Sequence, residues 1–344
     1  MTPLHQLDAK RIALLKPSAL GDIVHSLPVL HALRVRFPQA EITWVVNCAY
    51  AGLLTGQPDL TAALAFDRRR PLRAAVFLAR ELRRRRFDLV IDLQGLFRTG
   101  LMAAVSGAPR RVGLSSAREI SRLAYTDVID DSSELHAVER YWRVVEALGV
   151  GDLPREFHLT IADADRAWAE ERLAVLPRPW LFVATGSRWR TKRWPPEHFA
   201  TLAARCQQKY GGGTILIGAP DEAELSRGVA ERLPGPTLDL TGRTSLPQLA
   251  AVLAQADAML ANDTGPLHLA AALGRPVVAP YTCTKISLHG PFGQSGAVAT
   301  RVWCAGSYRR RCGRLECMAE LTPDRLWPVL DEVLFSWASP CRSA

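Results

Sequence analysis

No long apolar segment is present in this sequence, and its apolar runs have the length of single strands or helices. A membrane-spanning helix needs about 20 consecutive apolar residues, so we expect none. The N-terminal sequence MTPLHQLDAKR has no apolar core, and we therefore expect no secretory signal peptide. Both absences favour a cytoplasmic protein.

Cysteine is also scarce. The 344 residues include 7 cysteines, an odd number that favours a reducing compartment over a disulfide framework. Cys304, Cys312 and Cys317 lie close together in the sequence and Cys283 lies upstream, but their spacing matches no zinc ribbon or zinc finger. The acidic pair Asp130–Asp131 is explained as a cap or surface turn. We therefore predict no metal site and leave the role of the cysteines open.

The usual nucleotide-binding motifs are missing as well. No G-x-G-x-x-G follows the first predicted strand of either half of the chain, which removes the main support for an NAD-binding domain. The turn Lys16–Asp22 contains a glycine but lacks the Gly-Lys-Ser/Thr ending of a P-loop.

Charge is abundant and mostly positive. The formal net charge is +9, with clusters at Arg68–Arg70, Arg83–Arg86 and Arg309–Arg311. Arginine runs commonly form a solvated face, and that interpretation stays open. The alternative is an anionic partner. No nucleic-acid-binding motif is present, so nucleic acid is not expected, whereas an anionic membrane surface or glycolipid fits the charge.

Strand-sized apolar runs alternate with helix-sized segments throughout the chain. Connections of that length imply parallel strands, and the length suggests more than one core. We therefore predict an α/β protein of two Rossmann-like domains, residues 1–162 and 163–322, with parallel sheets facing each other across a cleft. Residues 323–344 form a last helix that could pack back on the first domain. The predicted strands are Ile12–Leu15, Ile42–Val46, Ala63–Phe66, Leu89–Leu93, Val112–Gly113, Leu181–Ala184, Thr214–Ile217, Leu238–Asp239, Ala256–Ala261 and Val277–Tyr281.

The segment Asn262–Pro280, NDTGPLHLAAALGRPVVAP, follows a predicted buried strand and opens a short helix. Phosphate groups bind at such places in open α/β folds, because free N–H groups and the positive end of a helix dipole meet at the edge of the sheet. Asp263 and Thr264 could instead be ordinary helix caps.

Asp22 opens the first predicted helix, directly after Gly21. A helix N-terminus stabilises an ionised carboxylate, so Asp22 could act as a general base at neutral pH. A plain N-terminal cap is the competing interpretation.

A cationic loop, TGSRWRTKRWPP, lies between a strand and a helix at Thr185–Pro196. Side chains such as Arg188 and Lys192 suit a diphosphate, with hydroxyls and amides supplying geometry. The turn Gly218–Glu222 follows the next predicted strand, where an acidic residue can accept hydrogen bonds from ribose hydroxyls.

Seven segments taken together resemble one known family. They are LLKPSALGDIVHSLPVLHAL, IDLQGLFRTGLMA, SSAREISRLAY, HAVERYW, TKRWPPEHF, GAPDEAE and NDTGPLHLAAALGRPVV, and they occur in the family's order over most of the chain. In these segments the chain resembles the ADP-heptose:lipopolysaccharide heptosyltransferases, glycosyltransferase family 9, with the heptosyltransferase I branch as the closest. The resemblance implies the GT-B fold, an amino-terminal acceptor domain and a carboxyl-terminal donor domain.

The resemblance also implies roles for individual residues. Asp22 would be the general base and Lys192 would hold the donor diphosphate, with no cofactor required. The donor site would further include Thr185, Gly186, Ser187, Arg188, Glu222, Asp263, Thr264, Gly265 and His268. Acceptor contacts would come from Ser18, Gly21, Gln94, Arg98 and Arg118. The chain departs from the family at Tyr281–Lys285, where familiar members have a Gly-Pro-Thr turn beside the donor sugar.

The activity implied is inverting transfer of a heptose from ADP-L-glycero-D-manno-heptose to an anionic, Kdo-like sugar of the lipopolysaccharide inner core. The enzyme would act as a peripheral protein at the inner face of the cytoplasmic membrane. Three alternatives stay open. They are a GT-B transferase that uses another nucleotide sugar, a nucleotide-sugar epimerase, and an inactive sugar- or lipid-binding scaffold.

Overall fold

A computed structural model of the protein describes residues 2–338 and divides the chain into two compact units, Met1–Thr160 and Ile161–Ala344. The division lies close to the predicted boundary between residues 162 and 163. Each unit contains one six-stranded sheet whose paired strands all run parallel. Among the described residues, no helix is both long enough and apolar enough to cross a membrane.

The first unit alternates strands and helices. Its strands are β1 (Arg11–Leu15), β2 (Glu41–Asn47), β3 (Ala62–Phe66), β4 (Leu89–Asp92), β5 (Arg110–Leu114) and β6 (Asp127–Ile129). Its α-helices are α1 (Leu20–Val24), α2 (Leu27–Arg36), α3 (Cys48–Ala51), α4 (Pro71–Arg84), α5 (Phe97–Ser106) and α6 (Ala137–Ala147). The strands are arranged in the order β3-β2-β1-β4-β5-β6.

The second unit repeats this arrangement. Its strands are β7 (Trp180–Ala184), β8 (Gly213–Leu216), β9 (Thr237–Asp239), β10 (Ala258–Ala261), β11 (Val277–Tyr281) and β12 (Ala297–Ala299). Its α-helices are α7 (Asp163–Leu173), α8 (Pro196–Tyr210), α9 (Ala223–Ala230), α10 (Leu246–Leu253), α11 (Gly265–Ala272), α12 (Ile286–His289), α13 (Glu316–Glu320) and α14 (Pro323–Ala338). The strands are arranged in the order β12-β11-β10-β7-β8-β9.

All ten predicted strands are present, because the central strands of a parallel sheet are covered on both faces and therefore read as continuous apolar runs. Two strands were not predicted. Both β6 and β12 are three-residue strands at the edge of a sheet, and neither contains a fully buried residue.

The first predicted helix, which opens at Asp22, is interrupted. Helix α1 ends at Val24, and α2 begins at Leu27. Pro28 has no N–H to donate to the carbonyl four residues earlier, so an unbroken helix would lose that hydrogen bond and place the proline ring against the same carbonyl. The Ser26 hydroxyl instead donates to the Asp22 carbonyl at 2.8 Å.

Helix α14 belongs to the second unit. Leu326, Leu330 and Leu334 are fully buried in the same apolar core as Trp194 and Phe199. The helix contacts α8, β10 and β11. Residues of this helix therefore belong to the second unit and do not form the separate final segment that the sequence suggested.

Asp131 corrects a second expectation, because it is buried and does not form a surface turn. Its carboxylate accepts hydrogen bonds from the Ser116 hydroxyl at 2.6 Å and from Arg140 Nε at 3.0 Å. Burial by itself would raise the pKa of Asp131, but the Ser116 and Arg140 hydrogen bonds outweigh it, and the pKa lies below its ordinary value. The residue follows β6, the edge strand that the sequence did not reveal.

Candidate active site

The strand order reverses between β1 and β4 in the first sheet and between β7 and β10 in the second. At such a switch point the connections leave neighbouring strands toward opposite faces of the sheet, so a crevice forms at the carboxyl edge. The loops that follow these four strands hold most of the predicted site residues. Each unit therefore has one candidate site at the place where α/β sheets usually bind ligands.

Asp22 lies in the first turn of α1, at the switch point of the first unit. Its Oδ2 accepts a hydrogen bond from the Ala19 N–H at 3.1 Å, as an N-terminal capping carboxylate does. Its Oδ1 accepts a longer hydrogen bond, 3.4 Å, from the Tyr141 hydroxyl. Asp22 is half-buried, so both the capping role and a contact with substrate are sterically open to it.

A buried lysine behind Asp22 was not predicted. Lys16 is only 2 % exposed, and its Nζ donates to the Tyr141 hydroxyl at 2.7 Å and to the Leu93 carbonyl at 2.8 Å. Burial acts to lower the pKa of Lys16, but Tyr141, Asp22 and Asp92 together raise it above its ordinary value. The ammonium therefore stays charged and polarises the hydroxyl that contacts Asp22.

Asp92 holds the neighbouring loop, which carries Gln94. Its Oδ1 accepts from the backbone N–H groups of Gln94 at 2.9 Å and Gly95 at 3.0 Å, and its Oδ2 accepts from the Tyr125 hydroxyl at 2.7 Å. Gln94 Oε1 accepts from the Ser18 N–H at 3.3 Å. Two of the predicted acceptor residues, Ser18 and Gln94, are thus brought together, and Gly21 lies in the same loop–helix segment as Ser18.

The two predicted acceptor arginines lie beside the same loop. The Arg118 N–H donates to the Gly95 carbonyl at 2.8 Å, and the Arg118 side chain is exposed. Arg98 lies in the first turn of α5, and its Nε is buried without a hydrogen-bond partner. Burial and the nearby charge of Arg68 lower the pKa of Arg98. A buried guanidinium nitrogen with no acceptor is suited to an anionic ligand.

Lys192 and Asp263 meet at the switch point of the second unit. Lys192 Nζ lies 2.5 Å from Asp263 Oδ2, and Asp263 Oδ1 lies 3.4 Å from His268 Nε2. The Thr284 hydroxyl also donates to Asp263 Oδ2, at 2.6 Å. Burial would raise the pKa of Asp263, but the hydrogen bond with His268 and the charge of Lys192 outweigh it and hold the pKa far below its usual range.

Thr284 was not among the predicted site residues, although it lies in the segment that departs from the family pattern. Asn262 was also missed as an individual residue. Its Oδ1 accepts from the Trp194 N–H at 3.0 Å, and its Nδ2 donates to the Thr185 carbonyl at 2.7 Å. This one amide side chain therefore fixes both ends of the cationic loop to the end of β10.

The rest of the loop surrounds this contact. The Ser187 carbonyl accepts from Arg193 Nε at 2.5 Å, and the Thr185 hydroxyl is buried without a hydrogen-bond partner. Thr264 is the N-cap of α11, which begins at Gly265, and the Thr264 hydroxyl donates to the Asn262 carbonyl at 3.1 Å. Asp263 and Asn262 therefore connect this segment to the cationic loop.

Gly186 and Glu222 form a second contact within the predicted donor site. A Cβ on Gly186 would lie only 1.7 Å from Glu222 Oε1, so a larger residue there would require this carboxylate to move. Glu222 Oε2 accepts from the Ala219 N–H at 2.9 Å. Burial raises the pKa of Glu222. The predicted ribose-binding carboxylate is thus placed directly over the start of the cationic loop.

Arg188 belongs to the cationic loop and faces the segment Arg310–Gly313. It lines a cavity of about 540 Å³ together with Arg190, Arg310, Arg311, Cys312 and Gly313. Two cations make cation–π contacts with the Trp189 ring, since Lys192 Nζ and the Arg310 guanidinium each lie 4.8 Å from its centroid. The positive charge of Arg309–Arg311 is thus continuous with the predicted phosphate loop.

Residues 76–317 match the family described as "Glycosyltransferase family 9 (heptosyltransferase)". The chain belongs to this family. It is also 30% identical over 324 residues to lipopolysaccharide heptosyltransferase 1 of Pseudomonas aeruginosa, covering 88% of this chain and 87% of that protein.

Solved heptosyltransferases from Escherichia coli have the same fold. ADP-heptose lps heptosyltransferase II matches with a TM-score of 0.79 at 25% identity, over 95% of this chain and 99% of that one. The heptosyltransferase WaaC, solved with ADP-2-deoxy-2-fluoro heptose, matches with a TM-score of 0.71 at 25% identity, over 94% and 99%. The predicted GT-B class is confirmed.

Membership of family 9 makes the protein a glycosyltransferase. It also excludes the nucleotide-sugar epimerase, one of the three alternatives left open by the sequence, because the matching family is a family of transferases. The heptosyltransferase resemblance found in the seven sequence segments is confirmed.

Proposed function

We propose that this family 9 glycosyltransferase moves a heptose from ADP-L-glycero-D-manno-heptose to an anionic, Kdo-like sugar of the lipopolysaccharide inner core. The observation that carries the proposal is the contact of Lys192 with Asp263, which joins the cationic loop after β7 to the start of α11 after β10. The related WaaC was solved with an ADP-heptose analogue, which supports the same donor class here.

The donor would be held in the second unit. In this proposal the diphosphate lies against Lys192 and the N-terminal turn of α11, and Glu222 accepts hydrogen bonds from the ribose hydroxyls. Negative charge grows on the leaving diphosphate as the sugar–phosphate bond breaks. Lys192 and the helix dipole stabilise that charge more in the transition state than in the bound donor, which is the condition for faster turnover.

The acceptor would be activated in the first unit. The Asp22 carboxylate takes the proton of the acceptor hydroxyl while the hydroxyl oxygen forms a bond to the anomeric carbon. The bond from that carbon to the diphosphate oxygen breaks at the same time, ADP leaves, and the configuration at the carbon inverts. Tyr141 and the buried Lys16 fix the orientation of Asp22 through the hydrogen bonds described above.

Anionic groups of the acceptor would meet Arg98 and Arg118, with Gln94 and Ser18 beside them. Arg98 supports this assignment most directly, because its Nε is buried and has no hydrogen-bond partner among the described residues. A carboxylate at this nitrogen would supply the missing acceptor.

A lipid-linked acceptor also requires contact with a membrane, and one face of the first unit is suited to it. Large apolar side chains are exposed on α4, on α5 and at the short 3-10 helix Ser121–Ala124, and α5 packs against both of the other elements. They are Leu72, Val76, Phe77, Phe97, Leu101, Ile120 and Leu123, and their exposed fractions run from 45% at Phe77 to 85% at Leu123. We call this surface the apolar face.

Positive charge borders the apolar face. Arg68–Arg70, Arg73 and Arg80 are exposed on or just before α4. A helix with apolar side chains exposed beside arginines is typical of proteins that lie in the interface of an anionic membrane. The predicted cluster Arg83–Arg86 is less suited, since Arg84 and Arg85 lie 2.7 Å and 3.4 Å from Glu81 carboxylate oxygens and are partly neutralised.

The proposal is tested by supplying the purified protein with ADP-, UDP- and GDP-sugars and a Kdo-terminated lipid A acceptor. We expect ADP release and a product heavier by one heptose only with ADP-heptose and only when the acceptor is present. A preference for a UDP- or GDP-sugar would identify another transferase of the same fold. Binding of donor and acceptor without product would favour the inactive scaffold.

A further inference from the structure

Two histidines and two carboxylates from distant segments converge in the first unit. His31 Nδ1 lies 3.0 Å and His158 Nδ1 lies 3.2 Å from the same oxygen, Asp59 Oδ2. The two imidazole rings are stacked with centroids 3.7 Å apart. On the far side of the rings, Glu156 Oε2 lies 3.0 Å from His158 Nε2 and 3.7 Å from His31 Nε2.

The inner three residues have the chemistry of a transition-metal site. One ligand atom each from His31, Asp59 and His158 lies within 4.8 Å of the other two. In tetrahedral zinc sites, bonds of about 2.0–2.1 Å place neighbouring ligand atoms about 3.3 Å apart. Asp59 Oδ2 lies 3.0 Å from His31 Nδ1 and 3.2 Å from His158 Nδ1, and these distances differ from that value by only a few tenths of an ångström.

Glu156 fits the outer shell of such a site. Histidines that bind a metal through one ring nitrogen usually donate the other N–H to a carboxylate, which fixes the ring and strengthens the metal bond. Glu156 is placed to accept from His158 Nε2 in this way. Asp59 is 10% exposed at its side chain and His158 is 40% exposed, so the cluster combines a buried carboxylate with a path to solvent.

We propose that His31, Asp59 and His158 bind a divalent cation of the zinc class, with Glu156 as the outer carboxylate and solvent in the remaining position. Histidine nitrogen with a single carboxylate oxygen favours zinc and its neighbours in the first transition row over magnesium or calcium, which prefer all-oxygen sites.

The position of the cluster indicates a structural role. His31 lies on α2, Asp59 precedes β3, and His158 lies two residues before Thr160, the last residue of the first unit. Gln57 holds the same segment, since its Oε1 accepts from the Thr160 N–H at 3.0 Å. A bound cation would therefore link the last segment of the first unit to α2 and to the segment before β3. The inference does not depend on which sugar the enzyme transfers.

The test uses the full-length protein stripped of metal with a chelator and then titrated with Co²⁺ and Zn²⁺. We expect one equivalent of Co²⁺ to produce the visible bands of a tetrahedral or five-coordinate site without the intense ultraviolet band of thiolate ligation. The second condition excludes the cysteines as ligands. Zn²⁺ should abolish the bands and raise the unfolding temperature.

Two variants make the test specific. H158Q and D59N should lose the Co²⁺ bands and the thermal shift, while H5Q, which changes an exposed histidine outside the cluster, should keep both. Far-ultraviolet circular dichroism shows whether each variant is folded. Absence of stoichiometric Co²⁺ binding by the folded wild type, or equal binding by H158Q, would overturn the proposal and leave a hydrogen-bonded cluster only. Spectra dominated by thiolate ligation would overturn it as well.

Discussion

Lys192 Nζ lies 2.5 Å from Asp263 Oδ2, so a cation and an anion predicted to share a donor site contact each other directly. The two residues are 71 positions apart in the chain and follow two neighbouring strands, β7 and β10. Both side chains are largely buried, with 16% exposed for Lys192 and 5% for Asp263. The pair therefore sets the distance between the cationic loop and the first turn of α11.

Lys192→Ala should lower kcat/KM for the ADP-sugar by about 100- to 1,000-fold, because a charge that stabilises the leaving diphosphate is removed. Steady-state kinetics with isothermal titration of ADP measures both the binding and the chemical parts. Lys209→Ala is the matched control, since Lys209 Nζ lies 2.6 Å from Asp331 in an exposed ion pair of the same unit. Equal losses in both variants would contradict the assigned role.

Asp22→Asn should reduce turnover by about two to four orders of magnitude, because an amide keeps the size of the side chain but cannot accept the proton. ADP binding should be unchanged. Single-turnover assays with saturating donor measure the chemical step. Asp8→Asn changes an exposed carboxylate of the same unit and should be silent. Near-normal turnover of the Asp22 variant would reduce Asp22 to a helix cap.

Gly186→Ala should weaken ADP binding by about tenfold or more, since the added methyl group overlaps the Glu222 carboxylate and forces it away. Titration of ADP against the folded variant measures the effect. In Gly228→Ala the nearest atom is 3.6 Å from the new Cβ, so that variant should bind ADP normally. Unchanged affinity in Gly186→Ala would separate Glu222 from the nucleotide site.

Asp131→Asn should lower the free energy of unfolding at pH 7 by about 1–3 kcal/mol, because hydrogen bonds to a buried charge are lost. The native pKa lies below the unfolded value of about 3.9, so the charged contribution is complete above that value. This contribution is lost as the pH falls through the native pKa. The difference in the free energy of unfolding between variant and wild type should then become smaller.

Urea unfolding at pH 7 and at several values below pH 4 measures this narrowing. Asp130→Asn is the neighbouring control. Asp130 is exposed and accepts a hydrogen bond from the Ser115 hydroxyl at 2.9 Å, so its replacement should change stability by less than about 0.5 kcal/mol. A pH-independent loss in Asp131→Asn would show that packing and not charge accounts for its effect.

Replacing Leu72 and Val76 by serine should weaken sedimentation with anionic liposomes, because each leucine or valine that enters the membrane contributes about 1.5–3 kcal/mol. Val175→Ser, at a 72%-exposed residue of the second unit, is the control for general loss of surface hydrophobicity. Activity on a short soluble acceptor should be retained. If the double variant sediments with liposomes as the wild type does, the apolar face is not the membrane contact.

Replacing Arg68–Arg70 and Arg73 by glutamine tests the charged border of the same face. Each arginine near an anionic surface contributes about 1 kcal/mol, screened over roughly 8 Å in physiological salt. Sedimentation should therefore fall at low salt and differ less from wild type at high salt. Insensitivity of the wild type to salt would return these arginines to the solvated-face interpretation.

The sequence determined ten of the twelve strands and the segments that carry the candidate site residues. Central parallel strands such as Ile12–Leu15 are covered on both faces and are therefore apolar at every position. The polar residues of the loops that follow them stand out against these apolar runs in the sequence. That is why the Asp22 turn and the Asp263 segment could be recognised as candidate sites without coordinates. The seven family segments added roles that spacing alone left open.

The tertiary structure decided which of these residues touch. Lys16 and Tyr141 are 125 positions apart, and no local pattern connects a lysine after one strand with a tyrosine on a distant helix. The same holds for His31, Asp59 and His158, which lie on three separate segments. Edge strands β6 and β12 and the packing of α14 also depended on long-range contacts. Local periodicity records which face of an element is buried, but only the folded chain brings distant segments into one site.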